Sequence, residues 1–199
     1  ISSDKPAAQI AVRLNHIHPD GASTRITYGV FNLAHRKGSE MATPLSPGEV
    51  FDVDFSLDHI AYRVPAGHKI RVSISSCYWP LIWPSPEMTC LTIEAGFVDV
   101  PLRPSGISDE CHFPSPESDL PWKTEQIRPP SNSRKAIKDM KTGIITIEVI
   151  DDFGSVRDCN HGLVSGSIAR EWWSIHPDDP LSAEAEAHWS TENLSLIHI

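Results

Sequence analysis

The chain has 199 residues, with 17 Lys and Arg against 26 Asp and Glu, which gives a formal net charge of −9. A composition of 40% hydrophobic and 22% charged residues is typical of a globular protein and excludes a disordered one. The acidic charge, without a Lys/Arg stripe, argues against nucleic acid as a partner, because phosphate neutralisation drives that binding. The sequence also lacks the roughly 18 consecutive apolar residues of a membrane-spanning helix. We therefore expect a soluble chain with neither nucleic acid nor membrane as its partner.

Alternating apolar positions predict several β-strands in the first hundred residues. The clearest sets are Ile10, Val12 and Leu14; Phe51, Val53, Phe55 and Leu57; and Ile70, Val72 and Ile74. Successive side chains on a strand point to opposite faces, so each set predicts a half-buried strand with one solvated face. Turn sequences such as His-Pro-Asp-Gly at residues 18–21 separate the strands. The 17 prolines are hard to place in long helices. The pattern therefore predicts an all-β fold, an antiparallel β-sandwich or jelly roll over residues 1–103.

The apolar alternation stops after residue 103 and returns after residue 142. Residues 104–142 contain six prolines and several serines, which predicts a linker or a surface-wrapping segment that Trp122 attaches to the body of the protein. Residues 143–193 predict a further β-rich piece, with a strand around residue 147 and a partner strand at residues 166–175. Residues 151–154 (Asp-Asp-Phe-Gly) are interpreted as a turn, and residues 184–189 are the only short helical candidate.

Both ends of the sequence suggest a fragment of a longer protein. The chain has no initiator methionine and opens with Ile-Ser-Ser-Asp, which is interpreted as the end of a strand already under way. Residues 194–199 (Leu-Ser-Leu-Ile-His-Ile) resemble the translated end of a sequencing adapter, an artefact of assembled environmental DNA. We therefore expect truncation at both ends.

The four cysteines, Cys77, Cys90, Cys111 and Cys159, are widely spaced and form no C-x-x-C pair. Small disulfide scaffolds are denser in cysteine, so we expect reduced, partly buried thiols. This expectation favours the cytoplasm but leaves the compartment open.

The sequence contains none of the local motifs that a complete enzyme of several common classes needs. There is no G-x-S-x-G nucleophile elbow, no G-x-G-x-x-G fingerprint and no P-loop. Three acidic residues of one strand, Asp52, Asp54 and Asp58, lie at outward positions and predict a solvated acidic face rather than an acid/base pair. We expect no catalytic residue and no cofactor in this chain.

Ten histidines raise the question of a metal site. His16 and His18 lie two residues apart on one face of a strand end, with Asp20 two residues further on, and such a set can bind zinc. No H-E-x-x-H motif or Cys/His cluster accompanies them, and polar histidines at strand ends are common. We therefore expect no metal.

An aromatic loop at residues 77–86 has the densest functional signal. It contains Tyr78, Trp79 and Trp83 among three prolines and follows directly on a predicted strand. Proline stiffens such a loop, so its rings are presented at little entropic cost. The rings would suit stacking on a sugar, walling a substrate pocket or docking on another domain. The alternative is that they cap the end of the sandwich core.

Six segments together resemble the C-terminal domain of the X-Pro dipeptidyl-peptidase/CocE-NonD family of serine hydrolases. The resemblance covers residues 3–103 most closely. The segments are residues 11–14 (Ala-Val-Arg-Leu), 18–21 (His-Pro-Asp-Gly), 27–33 (Thr-Tyr-Gly-Val-Phe-Asn-Leu), 47–49 (Pro-Gly-Glu), 66–71 (Ala-Gly-His-Lys-Ile-Arg) and 75–80 (Ser-Ser-Cys-Tyr-Trp-Pro).

The resemblance implies a galactose-binding-like jelly roll, lacking its first strand, attached to an α/β-hydrolase domain of the same polypeptide. In that family the Ser-Asp-His triad lies in the hydrolase domain, so the jelly roll would be a non-catalytic part that packs on it and helps to wall its pocket. The substrate of the parent enzyme, whether ester, X-Pro peptide or other amide, stays open, as does the oligomeric state. Two alternatives remain: a free-standing carbohydrate-binding module that uses the aromatic loop, and a structural interaction domain without a ligand.

Overall fold

The computed structural model describes residues 1–103 and 112–195, and strands dominate both ranges. In chain order the elements are β1 (Ser2–Ser3), β2 (Gln9–Ile17), β3 (Ser23–Asn32), a 3-10 helix (Leu33–His35), β4 (Lys69–Ser75), β5 (Leu91–Thr92), β6 (Thr124–Arg128), β7 (Ser131–Lys138), β8 (Ile145–Asp158), β9 (Val164–His176) and β10 (Asp179–Leu194). The pairings β1–β5, β2–β3, β2–β4 and β6–β8 are antiparallel. The fold is all-β, as the alternation predicts, and consistent with a β-sandwich. The jelly-roll strand order stays a prediction.

Within the two described ranges, no helix has the length and apolar character that a membrane crossing requires.

The chain divides into two compact units. The first contains Ile1–Ala95, Ala136–Ile147 and Trp173–Ala185, and the second contains Gly96–Lys135, Glu148–Trp172 and Glu186–Ile199. Strands β1 to β5 belong wholly to the first unit and β6 to the second, whereas β7 to β10 contribute residues to both. The later strands are hydrogen-bonded in the order β10-β9-β8-β6, with β7 also paired to β8. The domain limits expected at residues 103 and 142 stay a prediction.

The first unit is built on a three-stranded sheet in the order β3-β2-β4. Central β2 pairs antiparallel with β3 on one side and with β4 on the other. The turn predicted at residues 18–21 joins β2 to β3, and within it the Gly21 N–H donates to the His18 carbonyl at 2.9 Å. Gly21 has a φ of +89°, a conformation that glycine adopts without a Cβ clash. The sequence therefore determines this hairpin locally.

The core of the first unit lies on one face of β2 and around the 3-10 helix. Leu33 is 0% exposed, and the Asn32 side chain caps its helix by accepting from the Ala34 N–H at 3.0 Å. Burial of this leucine fixes the connection after β3 against the sheet. The other buried members of the cluster are Ala8, Ile10, Val12 and Leu45, surrounded by half-buried Ile1, Phe31, Phe51, Val53, Phe55, Leu57 and Leu91.

Residues 51–57 keep the predicted alternation but do not form a strand. The four apolar residues of this segment are half-buried and contact the core cluster, and the three polar residues between them are exposed. Its backbone hydrogen bonds are isolated ones, such as that from the Phe51 N–H to the Ile1 carbonyl at 2.9 Å. The strand prediction is wrong here. The apolar side chains alternate because every second one is buried against the core, and this burial does not require a hydrogen-bonded ladder.

Strand β4 forms where the alternation predicts it, but its apolar face is more exposed than expected. Ile70, Val72 and Ile74 all have at least two fifths of their surface exposed. Periodicity identifies which residues share a face, but it does not say whether another layer covers that face.

Strand β8 passes without a turn through residues 151–154, so the turn predicted there is wrong. Gly154 has a φ of +75°, and the register of β6 against β8 shifts between Gln126 and Arg128. A glycine with positive φ at a register shift is typical of a bulge within a continuous strand. Residues 151–154 therefore form a bulge within β8 and do not reverse the chain.

The helical candidate at residues 184–189 is also wrong, because these residues lie in β10. Alanine and glutamate favour helices intrinsically, but pairing of β10 with β9 overrides that preference.

Two strands, β6 and β7, lie within the proline- and serine-rich stretch of residues 104–142. Trp122, in the same stretch, donates its indole Nε1–H to the Asp158 carboxylate within the second unit. Residues 104–111 lie outside the described residues. The role of the stretch as linker or wrapping segment stays a prediction.

Three cysteines fall within the described residues, and all three are free thiols. Cys77 is half-buried, as expected, whereas Cys90 and Cys159 are exposed, contrary to the expected partial burial. Cys111 lies outside the described residues.

An ion pair between Arg128 and Asp152 stabilises the bulge in the second unit. The Arg128 guanidinium donates to one Asp152 carboxylate oxygen, and the Gly154 N–H donates to the other at 2.8 Å. The Arg128 side chain, followed by the Gly154 N–H, lowers the pKa of Asp152 below its ordinary value. Such a carboxyl adds stability that is complete above its unfolded pKa of about 4 and is lost as the pH falls through the lower, folded pKa.

We expect Asp152→Asn to lower the thermal midpoint at pH 7 and to reduce the loss of stability on acidification below about pH 5, because the amide carries no charge to titrate. Thermal unfolding followed by circular dichroism between about pH 7 and pH 2 measures both effects. Glu117→Gln removes an exposed carboxylate of the same unit and is the control. Identical pH dependence in the wild type and Asp152→Asn would contradict this prediction.

Candidate functional site

The aromatic loop, residues 77–86, directly follows β4 in the first unit and forms a tight reversal. Tyr78 and Ile82 form a two-residue bridge, in which each N–H donates to the carbonyl of the other, at 2.9 and 2.7 Å. The Trp79–Pro80 peptide bond within the reversal is cis. The Tyr78–Ile82 bridge therefore closes the backbone around Trp79 and places Trp83 directly after the reversal.

Tyr78 is packed among cationic and aromatic side chains of the sheet. The Arg13 guanidinium lies over its ring at 4.6 Å from the centroid, and Arg25 Nη1 donates to its hydroxyl at 2.7 Å. The Tyr28 ring meets it edge-on, with the centroids 6.2 Å apart. Because a guanidinium covers one ring face, Tyr78 anchors the loop to β2 and β3.

The two tryptophans of the loop pack on each other. The ring centroids of Trp79 and Trp83 are 5.2 Å apart at an interplanar angle of 48°, and Trp83 meets Trp173 edge-on at 6.4 Å. Trp83 is 39% exposed, whereas Trp79 is half-buried. The Trp79 indole N–H is buried and has no hydrogen-bond partner among residues 1–103 and 112–195. Trp83 therefore presents the exposed aromatic surface of this loop.

A cavity of about 280 Å³ lies beside the loop, entirely within the first unit. Trp79, Met88, Ile145 and Ile175 contribute to a mostly apolar lining. Its volume is just below the range of about 300–1,000 Å³ that is usual for sites of small molecules. The loop thus borders a small apolar recess.

Three histidines converge at the end of the sheet where β2 finishes and β4 begins. His16 lies on β2, His18 follows that strand, and His68 precedes β4. The antiparallel register pairs Ile17 with Lys69, which brings these chain ends together. The His16 and His18 rings are stacked with centroids 4.0 Å apart, and the His68 ring is 4.7 Å from that of His16.

The spacing of the three rings suits the histidine cluster to metal binding. One ligand nitrogen from each ring lies within 4.8 Å of the other two. Burial lowers the pKa of His16, and the charges of His18 and His68 lower it further. Tyr62 contacts the cluster through its hydroxyl, 2.8 Å from His16 Nδ1. A neutral imidazole is the form that binds a metal.

The structure brings some of the sequence-predicted residues together and separates others. Tyr78, Trp79 and Trp83 share one loop, as their sequence position requires. Asp20, considered as a ligand beside His16 and His18, instead accepts from the Ala22 N–H within the turn at 3.0 Å. His68 is the third residue beside His16 and His18. The sequence analysis missed His68 because only the pairing of β2 with β4 brings it close to His16.

The acidic residues of the predicted solvated face behave as expected. Asp52, Asp54 and Asp58 are all exposed, so the interpretation as an outward face is confirmed.

The side-chain contacts of the histidines differ between the two units. In the first unit, His16 and His18 contact the hydroxyls of Tyr62 and Thr24, respectively. In the second unit, His161 lies beside the Asp158 carboxylate and His188 beside the Glu186 carboxylate.

The antiparallel sheets and the apolar core define the class of the protein as a domain of the β-sandwich type. A family model described as the X-Pro dipeptidyl-peptidase C-terminal non-catalytic domain matches residues 1–124. The chain belongs to this family, which confirms the resemblance of its motifs. No curated protein and no solved structure matches the chain at a significant level. The chain is therefore a non-catalytic C-terminal part of an enzyme of the X-Pro dipeptidyl-peptidase type.

Proposed function

We propose that this domain packs on the α/β-hydrolase catalytic domain of the same polypeptide and helps to wall its substrate pocket. An apolar stripe on β4, formed by Ile70, Val72 and Ile74, is the observation that carries the proposal. These side chains are 50%, 42% and 43% exposed, respectively. A contiguous apolar surface of this kind is typical of an interaction site.

The apolar stripe continues the face of the sheet that elsewhere forms the core. Strand β2 pairs Leu14 with Val72 and Val12 with Ile74, and both β2 residues are buried. Paired residues of antiparallel neighbours lie on the same face. Full burial of one such side chain contributes about 1.5–3 kcal/mol. Covering the stripe with a second body is therefore favourable.

Strand β4 is also an edge strand, since among the described residues its strand partner is β2 alone. An edge with an apolar face promotes association with another chain unless something covers it. The family is described as a non-catalytic C-terminal domain, so a catalytic domain is the partner that its own polypeptide supplies. A catalytic domain of the same polypeptide would cover the stripe, so that no second copy of this chain is needed.

The aromatic loop is proposed to form part of the wall of the catalytic pocket. Its contacts with two arginines through Tyr78 hold it on the sheet, and its prolines restrict the backbone. Trp83 is therefore presented at little entropic cost, which suits a pocket wall or an interface. The Trp79 and Trp83 rings lie at 48° to each other, which suits packing better than a flat platform for a sugar.

The bond-making steps would belong to the catalytic domain. There, a serine activated by histidine and aspartate would attack the carbonyl of an ester, an X-Pro peptide or another amide and release the alcohol or amine. Water would then hydrolyse the acyl-enzyme. The contribution of this chain is to hold that domain and to shape access to its pocket.

We expect Val72→Lys to weaken the binding of this chain to the separately produced catalytic domain by at least about tenfold, because it places a charge at the centre of the apolar stripe. Isothermal titration calorimetry measures the affinity, and circular dichroism verifies that the variant keeps its fold. Val50→Lys makes the same change at an apolar residue that is 58% exposed and lies off the stripe, and it should bind like the wild type.

Three results would overturn the proposal. The first is that the wild-type chain does not bind the catalytic domain, and the second is that Val72→Lys binds as tightly as Val50→Lys. The third is quenching of tryptophan fluorescence by simple sugars that Trp79→Ala abolishes, without binding to the catalytic domain. That third result would establish the carbohydrate-binding alternative.

A further inference from the structure

We propose that His16, His18 and His68 bind one divalent transition-metal ion of the Zn²⁺ type. Their ligand nitrogens all lie within 4.8 Å of one another. Imidazole is a preferred ligand of Zn²⁺, Cu²⁺ and Ni²⁺, and sites with three histidines are well suited to zinc. The sequence-based expectation of no metal considers His16 and His18 without His68, and the third imidazole changes that assessment.

The nitrogen separations suit an ion held between the three rings. With metal–nitrogen bonds of about 2.0–2.1 Å, the nitrogens of a tetrahedral site lie about 3.3 Å apart. His16 Nε2 and His68 Nδ1 are 2.5 Å apart, and no pair of ligand nitrogens in the cluster exceeds 4.8 Å. The rings of His18 and His68 are half-buried. Small ring rotations therefore bring the three nitrogens to the spacing that the ion requires.

Tyr62 fixes the orientation of the most buried ligand. His16 is 3% exposed, and its Nδ1 lies 2.8 Å from the Tyr62 hydroxyl oxygen. When Nδ1–H donates to that oxygen, Nε2 carries the lone pair and faces His68. A ligating histidine usually donates its other ring N–H to an oxygen in this way. The cluster thus has both the ligands and an outer partner.

The contact between His16 and His68 links the ends of two different strands. His16 Nε2 faces His68 Nδ1, and in neutral imidazoles one of these nitrogens donates to the other. A metal ion would replace this hydrogen bond and bind the lone pair of each nitrogen, once the shared proton has moved to the other nitrogen of His68.

The ion would connect two segments that are distant in the sequence. His16 and His68 are 52 residues apart, and their shared ion would hold the start of edge strand β4 against the end of β2. Three protein ligands leave a fourth position for water or for an added ligand, which is the arrangement of open zinc sites. The proposal rests on the first unit alone and is independent of docking to a catalytic domain.

The test uses the chain without a histidine tag, stripped with a chelator and then supplied with Zn²⁺. We expect one Zn²⁺ per chain after dialysis, measured by elemental analysis. At a free Zn²⁺ concentration about 100 times Kd, the melting temperature should rise by about 5–10 °C. Co²⁺ in place of Zn²⁺ should produce the visible absorption of a tetrahedral cobalt site.

Variants separate ligation from general histidine binding. Tyr62→Phe removes the partner of a ligand and should weaken Zn²⁺ binding by about 10–100-fold. His68→Ala and His18→Ala each remove a ligand and should weaken Zn²⁺ binding by more than this. His59→Ala removes an exposed histidine of the same unit and should leave the affinity unchanged. Circular dichroism of the metal-free variants controls for folding. Failure of the wild type to retain Zn²⁺, or equal affinity in His68→Ala and His59→Ala, would overturn the proposal.

Discussion

Replacement of Leu33 by alanine is expected to lower the free energy of unfolding by about 2–5 kcal/mol, the range for removal of a buried leucine side chain. Leu33 is 0% exposed and contacts the cluster that contains Ile10, Val12 and Leu45. Its backbone N–H also donates to the Ala8 carbonyl at 3.0 Å, which limits how far the chain can move to fill the cavity. A site that cannot collapse has a cost in the upper part of this range.

Leu181→Ala is the matched control for this prediction. Leu181 belongs to the same unit and is 77% exposed, so the identical change should alter the free energy of unfolding by no more than about 0.5 kcal/mol. Urea unfolding followed by circular dichroism measures both variants, with the slope m as a check on the unfolded state. Equal midpoints for the two variants would show that the Leu33 cluster is not the main core of the unit.

The strands that the sequence predicts well are those whose information is local. Strand β2 forms where Ile10, Val12 and Leu14 predict it, and the His-Pro-Asp-Gly turn after it sets the hairpin with β3. The solvated face predicted for β2 is wrong, because Ala11 and Asn15 on that face are also buried. The strand and the turn both depend on residues that are neighbours in the chain, so propensity and turn chemistry suffice. The aromatic loop is predictable for the same reason, because Tyr78, Trp79 and Trp83 lie within six residues of one another.

Features that depend on tertiary partners were beyond the reach of the sequence pattern. Residues 51–57 alternate like a strand but cover the core without a ladder, and residues 184–189 pair as strand despite their helical composition. The exposure of Ile70 follows from the lack of a covering layer on that part of β4 in the described residues. An alternation of apolar and polar residues shows which side chains share a face, but it does not show which strand or layer lies beside that face.

The histidine cluster illustrates the same distinction for a site. His16 and His18 are recognisable as a pair from their spacing, but His68 joins them only through the register of β2 against β4. That register depends on which strand lies beside β2, and an isolated sequence does not specify this choice. Prediction of strand neighbours, such as from paired variation among homologues, is the signal that would have found the third histidine.

Gly154→Ala is expected to lower the free energy of unfolding by about 2–5 kcal/mol, through two effects that add. Gly154 has a φ of +75°, and a side chain in this left-handed region costs about 1–2 kcal/mol. A Cβ there would also lie 2.5 Å from the Arg128 carbonyl oxygen and 2.9 Å from the Pro130 nitrogen, which are backbone atoms that cannot rotate away. Overpacking of this kind costs about 1–3 kcal/mol.

Gly162→Ala separates the two effects, because Gly162 belongs to the same unit and has a φ of +73° but no heavy atom within 4 Å of the added Cβ. It should cost only the conformational part, about 1–2 kcal/mol. The displaced Arg128 would also lose its geometry toward Asp152, so Gly154→Ala and Asp152→Asn should be less than additive in the double variant. Urea unfolding of the four variants measures both comparisons. If Gly154→Ala costs no more than Gly162→Ala, the close approach of the Arg128–Pro130 backbone to Gly154 does not constrain the fold.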